Sequence, residues 1–399
     1  MKILQVSNKY PFPPKDGGAI AVINLARAIT QAGCEVSLLA MKTPKHNGKG
    51  SAAEDGSFYH KINHVFVDTT IRPFPLLANL LFSSLPYNAV RFIDRRFSDV
   101  LAGILKNKSY DIVQLEGLYL MPYADVIRRV SKAKIVLRSH NIEHEIWKRI
   151  AQKTGNLLLK PYYTILAKRM AAFEASFVDT YDMLVPISLR DDDFYTQLGN
   201  TKPSMVIPFG IDTTLKPSET VVHKQNSLFF IGSLDYIPNH EGLVWFIEKV
   251  WKKFLHPLNI YSFYIAGRNA PAGLIKYLKK QAVSFVGEVD DACSFMKSGG
   301  VMVVPVLSGG GIRVRIIEAM AMGIPVVSTA IGAEGLDVSD GSNIMINDDP
   351  QSFAHAVVKL LENQTFFTNI GKNARHYIEE KMDANRLAGE LLTFYRNNI

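Results

Sequence analysis

Cysteine is nearly absent. Cys34 and Cys293 are the only two in 399 residues, and they stand far apart. That excludes a disulfide scaffold and a cysteine-built zinc site, and it fits a reduced compartment. No run of about eighteen apolar residues occurs, so no transmembrane helix is expected. The opening MKILQVSNKYPF turns polar after a short apolar-leaning run and does not read as a secretory leader. No basic block or nucleic-acid motif occurs, which speaks against nucleic acid as a partner. The G-x-G-x-x-G fingerprint is also missing, so a dinucleotide oxidoreductase is a weak reading.

What is present is an ordinary globular composition, 47% hydrophobic and 21% charged, long enough for two or three domains. Lys+Arg 45 against Asp+Glu 37 gives a net charge of +8. Such an excess suits anionic substrates or an anionic membrane surface.

The chain is organised around Val301 to Leu336. Val301 to Val306 is apolar and β-branched and reads as a buried strand. Gly309, Gly310 and Gly311 follow. Ile312 to Met322 has helical spacing, with Ile316, Ile317, Met320 and Ala321 on one side. Gly323 stops that helix, and Ile324 to Thr329 reads as the next strand. Glycines permit close backbone approach, and a helix N-terminus presents N–H groups and a positive dipole end. Arg313 and Arg315 are expected in the first helical turns, where cations oppose the dipole. A phosphate is the economical counter-ion. Glu318 is placed to accept hydrogen bonds from ligand hydroxyls. A lone glycine triplet is more often a plain tight turn with solvated arginines, since short glycine motifs match by chance.

The remaining pattern is a repeated α/β alternation. Lys2 to Ser7, a loop ending in Gly17 and Gly18, the helix Ala19 to Gln31 and the strand Glu35 to Met41 form a Rossmann-like opening. Lys42 to Ser57 is a polar loop, and His64 to Asp68 a short strand. Ile71 to Phe97 mixes Leu and Phe with Arg. It is a candidate amphipathic surface for a membrane or lipid acceptor, or a cover for the core. Tyr110 to Leu115 is a strand leading to Glu116. Lys134 to Arg138 is another, ending in Ser139, His140, Asn141, Ile142, Glu143 and His144. A histidine just after a buried parallel strand sits at the ligand-facing edge. The spacing matches no zinc signature, so no metal is assigned. Ile146 to Asp182 reads as one long helical region, with Met183 to Ile187 and Ser204 to Pro208 as strands. A second alternation starts at Ser227, with a helix from Pro238 through Phe254 and a final strand at Asn343 to Asn347.

The run GGGIRVRIIEAMAMGIPVVST resembles the donor-site segment of family 4 retaining glycosyltransferases. RSHNIEH and the Pro208-Phe209-Gly210-Ile211-Asp212 run match the same bacterial branch. The resemblance covers nearly the whole chain and is strongest in its C-terminal half. It implies an α/β protein of the GT-B fold, two Rossmann-like domains facing across a cleft. The implied parts are an acceptor domain at 1–208, a linker at 209–226, a donor domain at 227–382 and a helix at 383–399 crossing back. The implied activity is transfer of a sugar from a nucleotide-diphosphate sugar to a glycan or lipid-linked acceptor in bacterial polysaccharide biosynthesis. The implied setting is the cytoplasm or the inner face of the membrane, with no metal or further cofactor.

The same resemblance assigns residues. Gly17 and Gly18 approach the donor phosphates and the acceptor. Gly309, Gly310, Gly311 and Ile312, with Arg313 and Arg315, meet the pyrophosphate. Glu318 matches the second glutamate of the family's E-x7-E motif, which holds the ribose. His140 meets the sugar or the transferring hydroxyl. The chain departs from the family in two places: Gly310 stands where the first motif glutamate belongs, and Ser233 follows Gly232 where many members carry arginine. Glu116 and Glu334 are candidate replacements for the missing carboxylate. A sugar-nucleotide 2-epimerase and a catalytically silent binding subunit of the same fold are the alternatives.

Overall fold

A computed structural model describes residues 1–14, 17–46, 56–213 and 226–399. Asp16, most of the polar loop after Lys42, and 214–225 of the expected linker lie outside the described residues. The chain forms two units, Met1–Gly210 with Ala384–Ile399, and Ile211–Asp383.

The first unit runs β1 (Lys2–Ser7), α1 (Gly17–Gln31), β2 (Glu35–Lys42), β3 (Lys61–Phe66), α2 (Pro73–Phe82), α3 (Tyr87–Val90), α4 (Arg95–Asn107) and β4 (Ile112–Glu116). It continues through α5 (Ala124–Val130), β5 (Lys134–Ser139), α6 (Glu143–Lys153), α7 (Leu159–Ala175), β6 (Met183–Pro186) and α8 (Leu189–Gln197). Its sheet has the order β3-β2-β1-β4-β5-β6, all parallel. Parallel strands covered on both faces are largely apolar, and β4 and β6 are buried at every residue, with Gln114 and Glu116 the polar exceptions in β4.

Three expectations for this unit are corrected. The region Ile146 to Asp182 is two helices, because Gly155 and Asn156 occupy a break between α6 and α7. Ser204 to Pro208 forms no strand, only an isolated bridge from Ser204 to Leu184. Pro203 and Pro208 flank it and donate no ladder hydrogen bond. The strand expected at His64 to Asp68 lies earlier, at Lys61–Phe66.

The second unit runs β7 (Ser227–Ser233), α9 (Ile237–Trp245, continued to Leu255 by a wider π-type coil), β8 (Ser262–Arg268), α10 (Ala272–Leu278), β9 (Ser284–Gly287), α11 (Ala292–Ser298) and β10 (Val301–Val304). Then come α12 (Val314–Ala321), β11 (Val326–Ser328), β12 (Met345–Ile346), α13 (Pro350–Glu362) and α14 (Gln364–Lys381). Its sheet order is β12-β11-β10-β7-β8-β9. Counted within the unit, that is the same doubly wound order as the first sheet. In each, the order reverses beside the unit's first strand, at β1/β4 and at β7/β10. Ligands of such sheets bind beyond the strand C-termini at those points. The final strand is only Met345–Ile346, shorter than the sequence suggested.

The last helix, α15 (Ala384–Asn398), belongs to the first unit. Its Leu387, Ala388, Leu391, Leu392 and Tyr395 join Ile23, Ala26 and Ile29 of α1 in one buried cluster. Each leucine so buried contributes about 1.5–3 kcal/mol relative to exposure. Among the described residues no helix is long and apolar enough to cross a membrane.

Candidate functional site

At the C-terminal edge of the first sheet, β1, β4 and β5 deliver Gln5, Glu116 and His140 to one place. Glu116 is 2% exposed. One of its carboxylate oxygens accepts from Gln5 Nε2 at 2.7 Å and Gln114 Nε2 at 2.5 Å. The other lies 2.7 Å from His140 Nε2. Tyr59 donates to Gln5 Oε1 at 2.6 Å and Tyr395 to Gln114 Oε1 at 2.7 Å, which fixes both amides. Burial opposes the Glu116 charge, yet the His140 hydrogen bond, the charges of His140 and Arg138, and Gln5 together hold its pKa below the usual carboxylate range. The glutamate's oxygens are committed to these donors. Glu116 therefore anchors His140 and does not stand in for the missing sugar-binding glutamate.

His140 packs edge-on against Phe209, with ring centroids 5.5 Å apart. Its side chain is 16% exposed. With Nε2 spent on Glu116, Nδ1 is the ring atom left for a ligand. Arg138 lies buried beneath, donating from Nη2 to Pro208 O at 3.2 Å, while Nη1 has no hydrogen-bond partner. Gly17 and Gly18 are the first residues of α1, two residues earlier than the spacing suggested, so their amides belong to its first turn.

The start of α6 is held by a buried acid. Glu174 accepts from the backbone of Glu143 at 2.8 Å and of His144 at 3.2 Å, and pairs with His144 Nδ1 at 2.6 Å. Glu143 accepts from Tyr119 at 2.7 Å. Burial, with the Glu174 charge adding to it against the Tyr119 hydrogen bond, raises the Glu143 pKa to about 7.

In the second unit, β10 ends before Pro305, and the chain passes through the glycine loop into α12. Gly309 and Gly311 have φ of +97° and +78°, while Gly310 is not left-handed. A Cβ at Gly309 would stand 2.9 Å from the Tyr236 hydroxyl. Only glycine fits there. Gly242 of α9 approaches the same loop so closely that a Cβ would lie 2.1 Å from Pro305 O.

The two arginines differ from expectation. Arg313 is the residue before α12, not within its first turn. Its guanidinium turns back onto the loop, donating to Gly310 O at 2.8 Å and Ser308 O at 3.4 Å, while its buried Nε has no partner. Arg315 is inside the helix, and its counter-ion is internal: Nη1 lies 2.6 Å from Glu318 Oε2. The dipole conflict is thus met by a carboxylate one turn on. Glu318 is 7% exposed, and burial raises its pKa against the opposing pull of Arg315. No side chain caps α12; Ile316 N donates to Arg313 O at 2.8 Å, which leaves the amides of Val314 and Arg315 for a ligand. Ile312 is buried, so only its backbone faces the loop.

Arg268 was not assigned from the sequence. It ends β8 in register with Ser233 and donates from Nε to Ser233 Oγ at 3.2 Å. A cation therefore stands beside the position where family members carry arginine, delivered by the neighbouring strand. Its signal was Gly267-Arg268 at a strand's C-terminus. Glu334 lies in the turn after β11, where its amide donates to Ile331 O at 3.4 Å.

The comparisons agree with this architecture. An uncharacterised 44.6 kDa protein in the cps region of Klebsiella pneumoniae is 25% identical over 97% of both chains. Phosphatidyl-myo-inositol mannosyltransferase of Mycobacterium leprae is 32% identical over 24% of this chain and 25% of its own. Sucrose-phosphate synthase from Thermosynechococcus elongatus superposes with a TM-score of 0.73 at 16% identity, over 100% of this chain and 99% of that one. Anabaena HepE in complex with UDP gives 0.70 at 15% identity over 100% of both. Residues 225–363 match the family described as glycosyl transferases group 1. Residues 15–215 match glycosyltransferase family 4, so this GT-B chain is a glycosyltransferase and belongs to that family.

Proposed function

We propose that the chain is a retaining hexosyltransferase that takes a nucleotide-diphosphate sugar as donor and a glycan or lipid-linked acceptor. The observation that carries this is the uncapped start of α12 behind two left-handed glycines, with Arg313 fixing the loop. The leaving diphosphate gains charge as the sugar becomes oxocarbenium-like. Fixed amides and guanidinium groups answer that charge without reorganising. The pyrophosphate lies against the amides of Gly309 to Ile312 and against Arg313 and Arg268, and Glu318 takes the ribose hydroxyls. This arrangement enlists no metal. In the first unit, His140 Nδ1 meets the sugar or the transferring hydroxyl, next to Gly17 and Gly18.

The donor class is supported by the UDP and UDP-glucose named in the HepE structures of the same fold. Polysaccharide assembly is supported by the cps-region relative, and a lipid-linked acceptor at the inner membrane face by the exposed apolar residues of α2. Calorimetry with a panel of nucleotide diphosphates, followed by donor turnover with and without acceptor extract, tests the reading. We expect one nucleotide to bind and acceptor-dependent turnover. An epimer formed from the donor alone, or binding without any turnover, overturns it in favour of an epimerase or a silent subunit.

A further inference from the structure

Helix α2 has the sequence PFPLLANLLF and buries none of its ten residues. Phe74 is 86% exposed, Leu77 52%, Leu81 64% and Phe82 88%. A helix ordered without burying its apolar side chains gains no hydrophobic return for the entropy it loses. It is held from behind. Arg169 of α7 donates to Asn79 O at 3.1 Å and Leu80 O at 2.8 Å, on the carbonyls of its last turn. The same α7 begins beside Leu157 and Leu158, which are 81% and 89% exposed. Both apolar features are therefore attached to the α6–α7 hairpin.

Between α6 and α7 lies a groove of about 530 Å³. Ala151, Ala167 and Ala171 line it, and side chains this small leave the helices apart. Lys148, Lys160 and Lys168 line it too. No carboxylate lines the groove, and none of these lysines forms an ion pair among the described residues. Lys160 and Lys168 are eight residues apart, about 12 Å along the helix, with Lys148 on the opposing helix. The acids of the hairpin are engaged elsewhere: Glu174 by His144 and two backbone amides, Glu145 by Arg149 and Arg190, and Glu143 by Tyr119. His144 also lines the groove, and α6 starts three residues after His140, so the groove begins at the same sheet edge as the candidate site.

We propose that the α6–α7 groove binds the phosphate headgroup of a membrane amphiphile, with α2 and Leu157–Leu158 seated in its apolar layer. Three unpaired cations around an apolar floor complement one chemistry: an anion joined to a hydrocarbon chain. A free inorganic anion explains the lysines and leaves the exposed apolar residues without a partner. The proposal deepens the lipid-linked acceptor reading and rests on it, since it makes the acceptor's phosphate the group that the first unit recognises.

The test uses the full chain, two variants and monomeric dihexanoyl phosphatidic acid. The wild type is expected to bind this probe. Lys148→Gln/Lys160→Gln/Lys168→Gln is expected to weaken binding by roughly 100-fold, at about tenfold or less per lysine. Phe74→Ser/Leu81→Ser removes exposed side chains only. It is expected to keep probe binding and to lose sedimentation with vesicles of phosphatidylcholine and phosphatidylglycerol. Pure phosphatidylcholine vesicles are expected to sediment little of any form. Equal probe affinity in the wild type and the lysine variant overturns the proposal. So does inorganic phosphate binding as tightly as the probe, which identifies a free-anion site. Failure of the transferase reading shows separately, as no nucleotide diphosphate binding by calorimetry, whatever the probe titration gives.

Discussion

His140 reaches Glu116 across the end of the first sheet, Nε2 to Oε2 at 2.7 Å, and the carboxylate's other oxygen is held by two glutamines. The imidazole is thereby fixed in both orientation and tautomer, with the carboxylate ready to balance a charge on the ring.

Glu116→Gln should therefore act through His140. Removing the charge but keeping the shape is expected to lower kcat by about 100-fold, with donor KM little changed. A variant with wild-type kcat would show that the network is only structural.

Arg315→Ala leaves Glu318 buried beside Cys293 without the guanidinium that pairs with it. The expected loss is about 1–3 kcal/mol at neutral pH. Arg315→Ala/Glu318→Gln should recover most of it, because the stranded charge is gone. Equal denaturation midpoints for the single and double variants would contradict the pairing.

Glu143 sets a pH dependence. Its folded pKa of about 7 lies above the unfolded value near 4.3. A carboxyl raised in this way stabilises the fold below the unfolded pKa, and that contribution is lost as pH rises through the folded pKa. Glu143→Gln should thus flatten the fall in melting temperature between about pH 4.3 and 7. Parallel curves for wild type and variant would refute the raised pKa.

The loop glycines are not equivalent. Gly309→Ala meets both the left-handed φ and the Tyr236 hydroxyl, and should cost more than about 1 kcal/mol. Gly310→Ala should stay within about 0.5 kcal/mol. The reverse order in chemical denaturation would disprove the loop geometry.

Arg313→Ala is expected to reduce transfer by about 100-fold or more. Because its guanidinium also braces Ser308 and Gly310, nucleotide affinity should fall with it. Unchanged kcat/KM would remove Arg313 from the site.

The strands were legible because sheets covered on both faces favour unbroken apolar runs, as in Ile135 to Leu137 and Val301 to Val304. Helix ends were less so. Nothing periodic marks the break at Gly155, and Gly17 and Gly18 open α1 where glycine's low helix propensity argued for loop. Within the site, His140 was visible from its place after β5. Its partner was not, since Glu116 lies 24 residues earlier and reaches it only once β4 and β5 pair. The Arg315–Glu318 pair was readable in principle, three residues apart on a helix. An external phosphate would meet the same cation equally well, so the sequence alone leaves the counter-ion open. Arg268 escaped because its relation to Ser233 is one of register between strands.

The return of α15 to the first unit has a consequence for synthesis. Tyr395 donates to Gln114 across 281 residues of chain, and Gln114 holds Glu116, which holds His140. While the chain emerges from the ribosome, the unit made first is the unit completed last. A message cut short before residue 384 yields all of the second unit but leaves the α1 face bare and Gln114 without its tyrosine. Such a product keeps the second unit, while the network that anchors His140 is one brace short. The first unit stays open on that face until α15 has been made.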